Sequence, residues 1–206
     1  MTYRAVIFDL GGVVVGSPLH AIAAYERELR IPAGAINRIV VDTAPSGAWS
    51  RLERGELMLE EFYPAFDADC AAAGYTICAR EMMLRIAEFV APRPAMLGAV
   101  RSIRSHGLRA GAITNNWVAE DGGTSVLRPH FDVFIESAVV GMRKPDPRIF
   151  HLACDELGVA PEESIFLDDI GINLKAARTL GMTTIKVGTE EAALDELQRL
   201  LGFPLG

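Results

Sequence analysis

The stretch that decides the fold is VIFDLGGV, residues 6–13. It overlaps a continuous apolar run, residues 5–8, typical of a strand that is covered on both faces of a parallel sheet. The run ends at Asp9, and the flexible pair Gly11 and Gly12 follows. This pattern predicts a first strand over residues 3–9 with an acidic side chain at its carboxyl end.

Beyond residue 90, strand-like and helix-like segments alternate. The predicted strands cover residues 108–114, 131–137, 164–168 and 183–187, and the predicted helices cover residues 94–106, 147–158, 172–180 and 192–201. Five strands with intervening helices predict the α/β class, with a doubly wound, parallel, five-stranded, Rossmann-like sheet.

After the first strand, residues 19 to about 90 have apolar residues at helical spacing. We expect four or five helices there, with a short run at residues 39–41 that also fits a strand. The predicted domains are a core of residues 1–16 and 91–206 and a helical cap of residues 17–90. Because the cap follows the first strand, it should lie over the carboxyl ends of the strands, where such sheets bind ligands.

Composition narrows the classes of function. The chain of 206 residues has 50% hydrophobic residues, 23% charged residues and a net charge of −7, without a basic cluster. This predicts a globular protein that binds no nucleic acid. No run of 18 apolar residues occurs, so no membrane association is predicted. Three cysteines without a C-x-x-C pair predict reduced thiols and a cytoplasmic location.

Polar side chains stand where the predicted strands end. They are Asp9 after the first strand, Thr114 and Asn115 after the second, Lys144 in the loop after the third, and Asp168 with Asp169 after the fourth. A carboxylate can attack phosphorus, Mg²⁺ binds carboxylate oxygens, and an ammonium group stabilises the transferred charge. The set therefore predicts a phosphoryl-transfer site.

Each of these residues alone has a simpler interpretation as a turn residue, a helix cap or a solvated charge. Asp146 is best interpreted as the cap of the helix that follows it. Adjacent carboxylates behind an apolar strand, such as Asp168 and Asp169, are costly without a partner, so the full set favours a functional site.

Four ordered motifs resemble those of the haloacid dehalogenase (HAD) superfamily. They are VIFDLGGV at residues 6–13, ITNN at 113–116, KPDP at 144–147 and IFLDD at 165–169. Within the superfamily, the stretch FLDDIG at residues 166–171 is most similar to two branches. One is the N-terminal phosphatase-like domain of soluble epoxide hydrolase, and the other is the domain fused to some acyl-CoA dehydrogenases.

The resemblance implies a Mg²⁺-dependent hydrolase of a small phosphorylated metabolite, as a monomer or a homodimer. Asp9 would be the nucleophile and a metal ligand, and Gly11 would offer its carbonyl oxygen to the metal. Asp169 would be the second carboxylate ligand. Asp168 would be a further ligand or would steer Lys144.

Phosphate binding is implied for Thr114 and Asn115, together with the ammonium group of Lys144. One departure concerns the acid–base aspartate that phosphatases of the superfamily carry two residues after the nucleophile. In this chain Gly11 occupies that position. General acid–base help is typically worth roughly 10²–10⁴-fold in rate.

Three functions therefore remain open from the sequence: a phosphatase, a phosphometabolite-binding module with weak or no catalysis, and a 2-haloacid dehalogenase. The insert is expected to determine the substrate. Trp49, Arg51 and Arg54 could face the crevice, although a core position for the tryptophan and solvated arginines are favoured.

Overall fold

A computed structural model describes residues 2–88, 91–119 and 123–205. At its centre lies a parallel sheet in the order β3-β2-β1-β4-β5. The strands are β1 Ala5–Phe8, β2 Arg109–Thr114, β3 Val133–Glu136, β4 Ser164–Asp168 and β5 Thr183–Lys186. Phe8 on the central strand pairs with Ala112 on one side and Leu167 on the other. The predicted fold class is confirmed.

Between β1 and residue 88 the described chain is largely helical. The helices are α1 Pro18–Leu29, α2 Ala35–Asp42, α3 Ala48–Glu53, α4 Leu59–Ala72 and α5 Ala79–Glu88. The ambiguous run at residues 39–41 lies in α2. The sequence also predicts a helix over residues 80–89 as the last one of this segment, and residue 89 falls outside the described residues. These helices share an apolar cluster that includes Phe62 and Phe66. We call the helices and the loops that connect them the helical insert.

The remaining helices cover both faces of the sheet. They are α6 Pro94–Ser105, α7 Ser137–Val140, α8 Pro147–Leu157, α9 Gly171–Thr179 and α10 Glu190–Leu201. Alternate β1 side chains point to opposite faces, so Val6 and Phe8 pack with α6 and α10, whereas Ala5 and Ile7 pack with α8 and α9. No helix in the described ranges is long and apolar enough to cross a membrane.

The two ends of the helical insert lie side by side. The Gly16 amide donates to the carbonyl oxygen of Ala91 at 3.1 Å, and the Arg93 amide donates to that of Val14 at 2.8 Å. Val15 also forms an antiparallel bridge with Pro92. The chain therefore leaves the core and returns to it next to the loop that follows β1.

Candidate active site

A buried lysine joins two strand ends. Lys144 is 1% exposed, and its Nζ lies 2.8 Å from Oδ1 of Asp9 and 2.8 Å from Oδ2 of Asp168. A buried ammonium group is stable only when carboxylates compensate for its lost hydration. Asp9 follows β1 and Asp168 ends β4, which are neighbours in the sheet. Pairing of the two strands thus places both carboxylates around the same cation.

The pKa values of the site reflect this crowding. Burial raises the pKa of Asp9 to about 8; the Lys144 charge opposes this rise, and Asp168 and Asp169 add to it. Burial alone would lower the pKa of Lys144, but Asp168 and Asp9 outweigh it and raise that pKa. Burial, with the Asp168 charge, also raises the pKa of Asp169. The site thus holds more negative charge than its single lysine balances, and this favours binding of a further cation.

Asp168 is tied to the protein through both oxygens. Its Oδ1 accepts from the Ile170 amide at 2.6 Å, and its Oδ2 accepts from Lys144 and from Nδ2 of Asn173 at 3.1 Å. The residue is 0% exposed and is not among the described residues that line the cavity below. Its contacts suit it to hold Lys144 in place.

The carboxylates suit a divalent metal ion. Asp9, Asp168 and Asp169 each offer an oxygen, and these three atoms lie within 4.8 Å of one another. Mg²⁺ in proteins is bound by one or two carboxylates together with phosphate and waters, so the donor set fits this ion. Gly11, the predicted carbonyl ligand, lines the same cavity as Asp9 and Asp169.

The loop after Asp9 is shaped to admit Asp169. Gly12 has a positive φ of 77°, and a Cβ atom there would lie 2.1 Å from Oδ2 of Asp169. Only glycine combines this backbone with so close an approach. Arg93, which sequence reasoning missed, donates from Nη1 to the Gly12 carbonyl oxygen at 2.8 Å. Ser17 donates to Oδ2 of Asp169 at 3.4 Å.

The residues after β2 take two different positions. Thr114 is 3% exposed and is not among the described lining residues, whereas Asn115 lines the cavity. The Asn115 side chain accepts from the Lys144 amide at 2.8 Å and donates to the Lys144 carbonyl oxygen at 3.0 Å. The side-chain amide of Asn115 therefore holds the main chain of Lys144 through both its N–H and its carbonyl group. Asp146, as predicted, caps α8 by accepting from the Arg148 amide.

A cavity of about 520 Å³ opens above these residues. We call the cavity-lining residues Asp9, Lys144 and Asp169, together with Asp168, which pairs with Lys144, the charged floor. We call the cavity-lining apolar residues of the helical insert the apolar wall; they are Pro18, Leu19, Ile22, Val40, Val41, Ala44 and Trp49. The cavity is thus charged on the side of the sheet and largely apolar on the side of the insert.

Sequence reasoning missed two charged residues in this cavity, Glu53 and Arg143. Trp49 and Glu53 are four residues apart on α3, so their side chains share one face of the helix, and the indole Nε1 donates to Oε1 of Glu53 at 2.9 Å. This four-residue spacing was the feature of the sequence that could have indicated that Glu53 lies beside Trp49. Arg51 and Arg54 pair with Glu56 and do not line the cavity, in line with the favoured interpretation. Trp49 is both buried in the insert and part of the apolar wall.

Comparison with known proteins identifies a matching family and several relatives. A model of the haloacid dehalogenase-like hydrolases matches residues 3–181. The chain is 40% identical over 209 residues to mouse acyl-CoA dehydrogenase family member 10, covering 99% of this chain and 20% of that protein. It is 34% identical over 226 residues to pig bifunctional epoxide hydrolase 2, covering 100% of this chain and 40% of the relative. The chain therefore spans less than half the length of these two relatives.

Other relatives match over nearly their full length. The sesquiterpene phosphatase astK of Aspergillus oryzae is 26% identical, with 98% of each chain covered. Among solved structures, a HAD-like hydrolase from Porphyromonas gingivalis has a TM-score of 0.70 at 23% identity, with 98% of each chain covered. A HAD family enzyme from Bacteroides thetaiotaomicron, in complex with magnesium and inorganic phosphate, has a TM-score of 0.63 at 19% identity, with 89% of this chain and 93% of that chain covered. The structural matches agree with the parallel sheet.

Proposed function

Because the chain belongs to the haloacid dehalogenase-like hydrolase family, we propose that it is a Mg²⁺-dependent phosphatase that acts through a phosphorylated Asp9. One observation carries the proposal: Asp9 lines the cavity while its Oδ1 is held 2.8 Å from the buried Lys144 ammonium group. The Leu10 amide donates to the same oxygen at 2.6 Å. Among the described contacts, Oδ2 is the oxygen that remains for a substrate phosphorus.

The proposed reaction has two steps. A carboxylate oxygen of Asp9 bonds to phosphorus as the ester P–O bond breaks, and the departing alkoxide takes a proton from water. Water then attacks the phosphorus of the acyl phosphate, the bond to Asp9 breaks, and inorganic phosphate leaves. Lys144 remains beside Asp9 and stabilises the charge on the transferred group.

We assign Mg²⁺ to Asp9, Asp169 and the Gly11 carbonyl oxygen. When bound, the ion supplies positive charge that offsets the repulsion between the carboxylates and the phosphate. Asp168 is left out of this set because both of its oxygens already accept hydrogen bonds and because, unlike Asp9 and Asp169, it is not among the described residues that line the cavity. The Bacteroides thetaiotaomicron enzyme, solved with magnesium and inorganic phosphate, supports the choice of ion.

The shape of the cavity favours an ester with an apolar organic part. The apolar wall supplies aliphatic and aromatic surface, and Ile172 of α9 adds to the apolar lining from the core. Burying apolar substrate surface there contributes about 25 cal/mol per Å². The name of the relative astK, a sesquiterpene phosphatase, agrees with such a substrate. A cytoplasmic location and a monomeric or homodimeric state stay predictions.

The proposal is tested by phosphate release from phenyl phosphate and octyl phosphate with Mg²⁺ and with a chelator. We expect release with Mg²⁺, loss of release with the chelator, and loss of release in Asp9→Asn. The matched control is Asp155→Asn, which changes an exposed aspartate on α8. Acid quenching followed by mass spectrometry should detect phosphate on Asp9. Hydrolysis that persists in Asp9→Asn would contradict the proposal.

Gly11 supports a second candidate, a phosphometabolite-binding module. It predicts that phosphate analogues bind without turnover of any ester. Gly11→Asp separates the two candidates, since a restored acid should raise a phosphatase rate by up to roughly 10²–10⁴-fold. The new Cβ would lie 3.2 Å from Cδ of Pro18, so a small shift of α1 is required. A dehalogenase would instead release halide from 2-chloropropionate regardless of chelator.

A further inference from the structure

Glu53 is a buried carboxylate that the proposed chemistry does not use. It stands at the end of α3 and is 7% exposed. Its Oε1 accepts from Trp49, and its Oε2 accepts from Nε of Arg143 at 2.5 Å and lies 3.4 Å from Nδ2 of Asn115. Both oxygens are thus fixed by donors, so Glu53 is a poor substitute for the acid that is missing at Gly11.

The partner of Glu53 is Arg143, and it is a cation that lies outside the charged floor. Among the described lining residues, the cations are Lys144 and Arg143. Lys144 is committed to Asp9 and Asp168. Arg143 pairs with Glu53 and donates from Nη1 to Ser50 at 3.3 Å.

This pairing has a consequence for substrate choice. A guanidinium group free in the cavity would bind a carboxylate or a second phosphate of a substrate, because charge-assisted pairs of this kind are strong. With Glu53 in place, a second negative group would meet an arginine whose charge is already compensated and a carboxylate that repels it. The cost is greater because Glu53 is buried, where water screens charges less than at the surface.

We propose that Glu53 is a specificity-determining residue: by neutralising Arg143, it makes the cavity select phosphate esters whose organic part is uncharged over those that carry a second negative group. The inference rests on the proposed phosphatase function and refines its substrate class. Specificity of this kind depends on excluding competitors as much as on binding the favoured ligand.

The test uses matched substrates: phenyl phosphate and its 3-carboxy and 4-carboxy derivatives. The measured quantity is the ratio of kcat/KM for each carboxylated ester to kcat/KM for phenyl phosphate. In Glu53→Gln, which keeps an acceptor for Trp49, we expect the ratio to rise about tenfold or more for at least one isomer. The double variant Glu53→Gln with Arg143→Met should lose this gain, because the freed cation is gone.

Two controls separate specificity from folding. Glu56→Gln makes the same chemical change three residues away, at a glutamate that pairs with Arg54 and does not line the cavity, and should leave the ratio unchanged. Arg143→Met alone should lower the ratio, because Glu53 then meets the substrate without its partner. A folded Glu53→Gln with an unchanged ratio for both isomers overturns the inference. A gain that survives in the double variant overturns it as well.

A binding measurement keeps the inference distinct from the proposed function. The affinities of phenylphosphonate and its carboxylated forms are measured by calorimetric titration with Mg²⁺. Relative to wild type, Glu53→Gln should bind the carboxylated forms more tightly compared with phenylphosphonate, as expected for the kcat/KM ratio. If the phosphonates bind but no ester is hydrolysed, the phosphatase proposal fails and the ratio of binding constants decides the inference. If none of the phosphonates binds to either protein, both are overturned.

Discussion

The charged floor and the apolar wall enclose the same cavity but are built in opposite ways. On the floor, Asp9, Lys144 and Asp168 are linked by contacts of 2.8 Å, and little of their surface reaches solvent. On the wall, side chains such as Leu19, Ile22 and Val41 offer surface without fixed hydrogen bonds. The floor depends on the exact placement of a few atoms, whereas the wall depends on shape and the exclusion of charge.

The difference indicates how each region should respond to change. Removing one member of a buried charge network leaves its partners uncompensated, whereas trimming an apolar surface removes only the area lost. Variants of the floor should therefore affect stability, metal binding and turnover together. Variants of the wall should affect mainly the choice of substrate.

The largest effect is expected for Lys144→Met. Asp9 and Asp168 would lose the cation between them, which should cost about 3–5 kcal/mol of unfolding free energy, as for other broken buried pairs. Loss of the ammonium group should also lower kcat by roughly 10²–10³-fold. Denaturant unfolding and steady-state kinetics measure the two effects. Lys175→Met, at an exposed lysine of α9, is the control; similar losses in both variants would refute the role of the buried pair.

Gly12→Ala is expected to weaken metal binding next. The added Cβ cannot coexist with Oδ2 of Asp169 at 2.1 Å, so this carboxylate must move. We expect Mg²⁺ affinity to fall by about 10–100-fold, the range typical when the orientation of a ligand is disturbed. Gly74→Ala is a matched control because its φ of 87° carries the same backbone strain with nothing within 4 Å of the new Cβ. Calorimetry with Mg²⁺ should separate the two variants.

The acidity of Asp9 predicts a pH dependence of metal binding. Its pKa is raised to about 8 in the metal-free protein, so below that pH the carboxyl group carries a proton that the metal must displace. Mg²⁺ binding should therefore release a proton and tighten by up to about tenfold from pH 6 to pH 7. Titration in buffers of different ionisation enthalpy counts the protons. Equal affinity at both pH values would contradict the raised pKa.

The smallest effect is expected on the wall. Val41→Ser at the cavity mouth should raise KM for octyl phosphate about threefold, since it removes apolar contact area, and should leave kcat unchanged. Val139→Ser is the control: both valines are 71% exposed, but Val139 does not line the cavity. A large fall in kcat from Val41→Ser would contradict the expectation that the wall affects substrate binding and not turnover.

The sequence predicts the core of the molecule well because local patterns determine it. The apolar runs that become β1 and β4 are continuous and end at acidic residues, so both the strands and the carboxylates at their ends were predictable. Helix α7, by contrast, has four residues and follows β3 without a break, which leaves no periodicity to detect.

The wall of the site was less predictable because its contacts are tertiary. Glu53 and Arg143 are 90 positions apart, and each resembles a solvated surface charge in the sequence. Only packing of α3 against the loop before Lys144 brings them together. The hydrogen bonds between the Asn115 side chain and the Lys144 main chain likewise form only because two separate loops meet.

The two ends of the helical insert lie so close together that the insert could be removed or exchanged. Since Gly16 and Ala91 are already joined by a hydrogen bond, closing the core without the insert would need only a short connection and would add little loop entropy. The same junction could accept an unrelated helical segment of different size. The apolar wall would be replaced together with the helical insert, so we expect an exchanged insert to change the substrate preference of the proposed phosphatase.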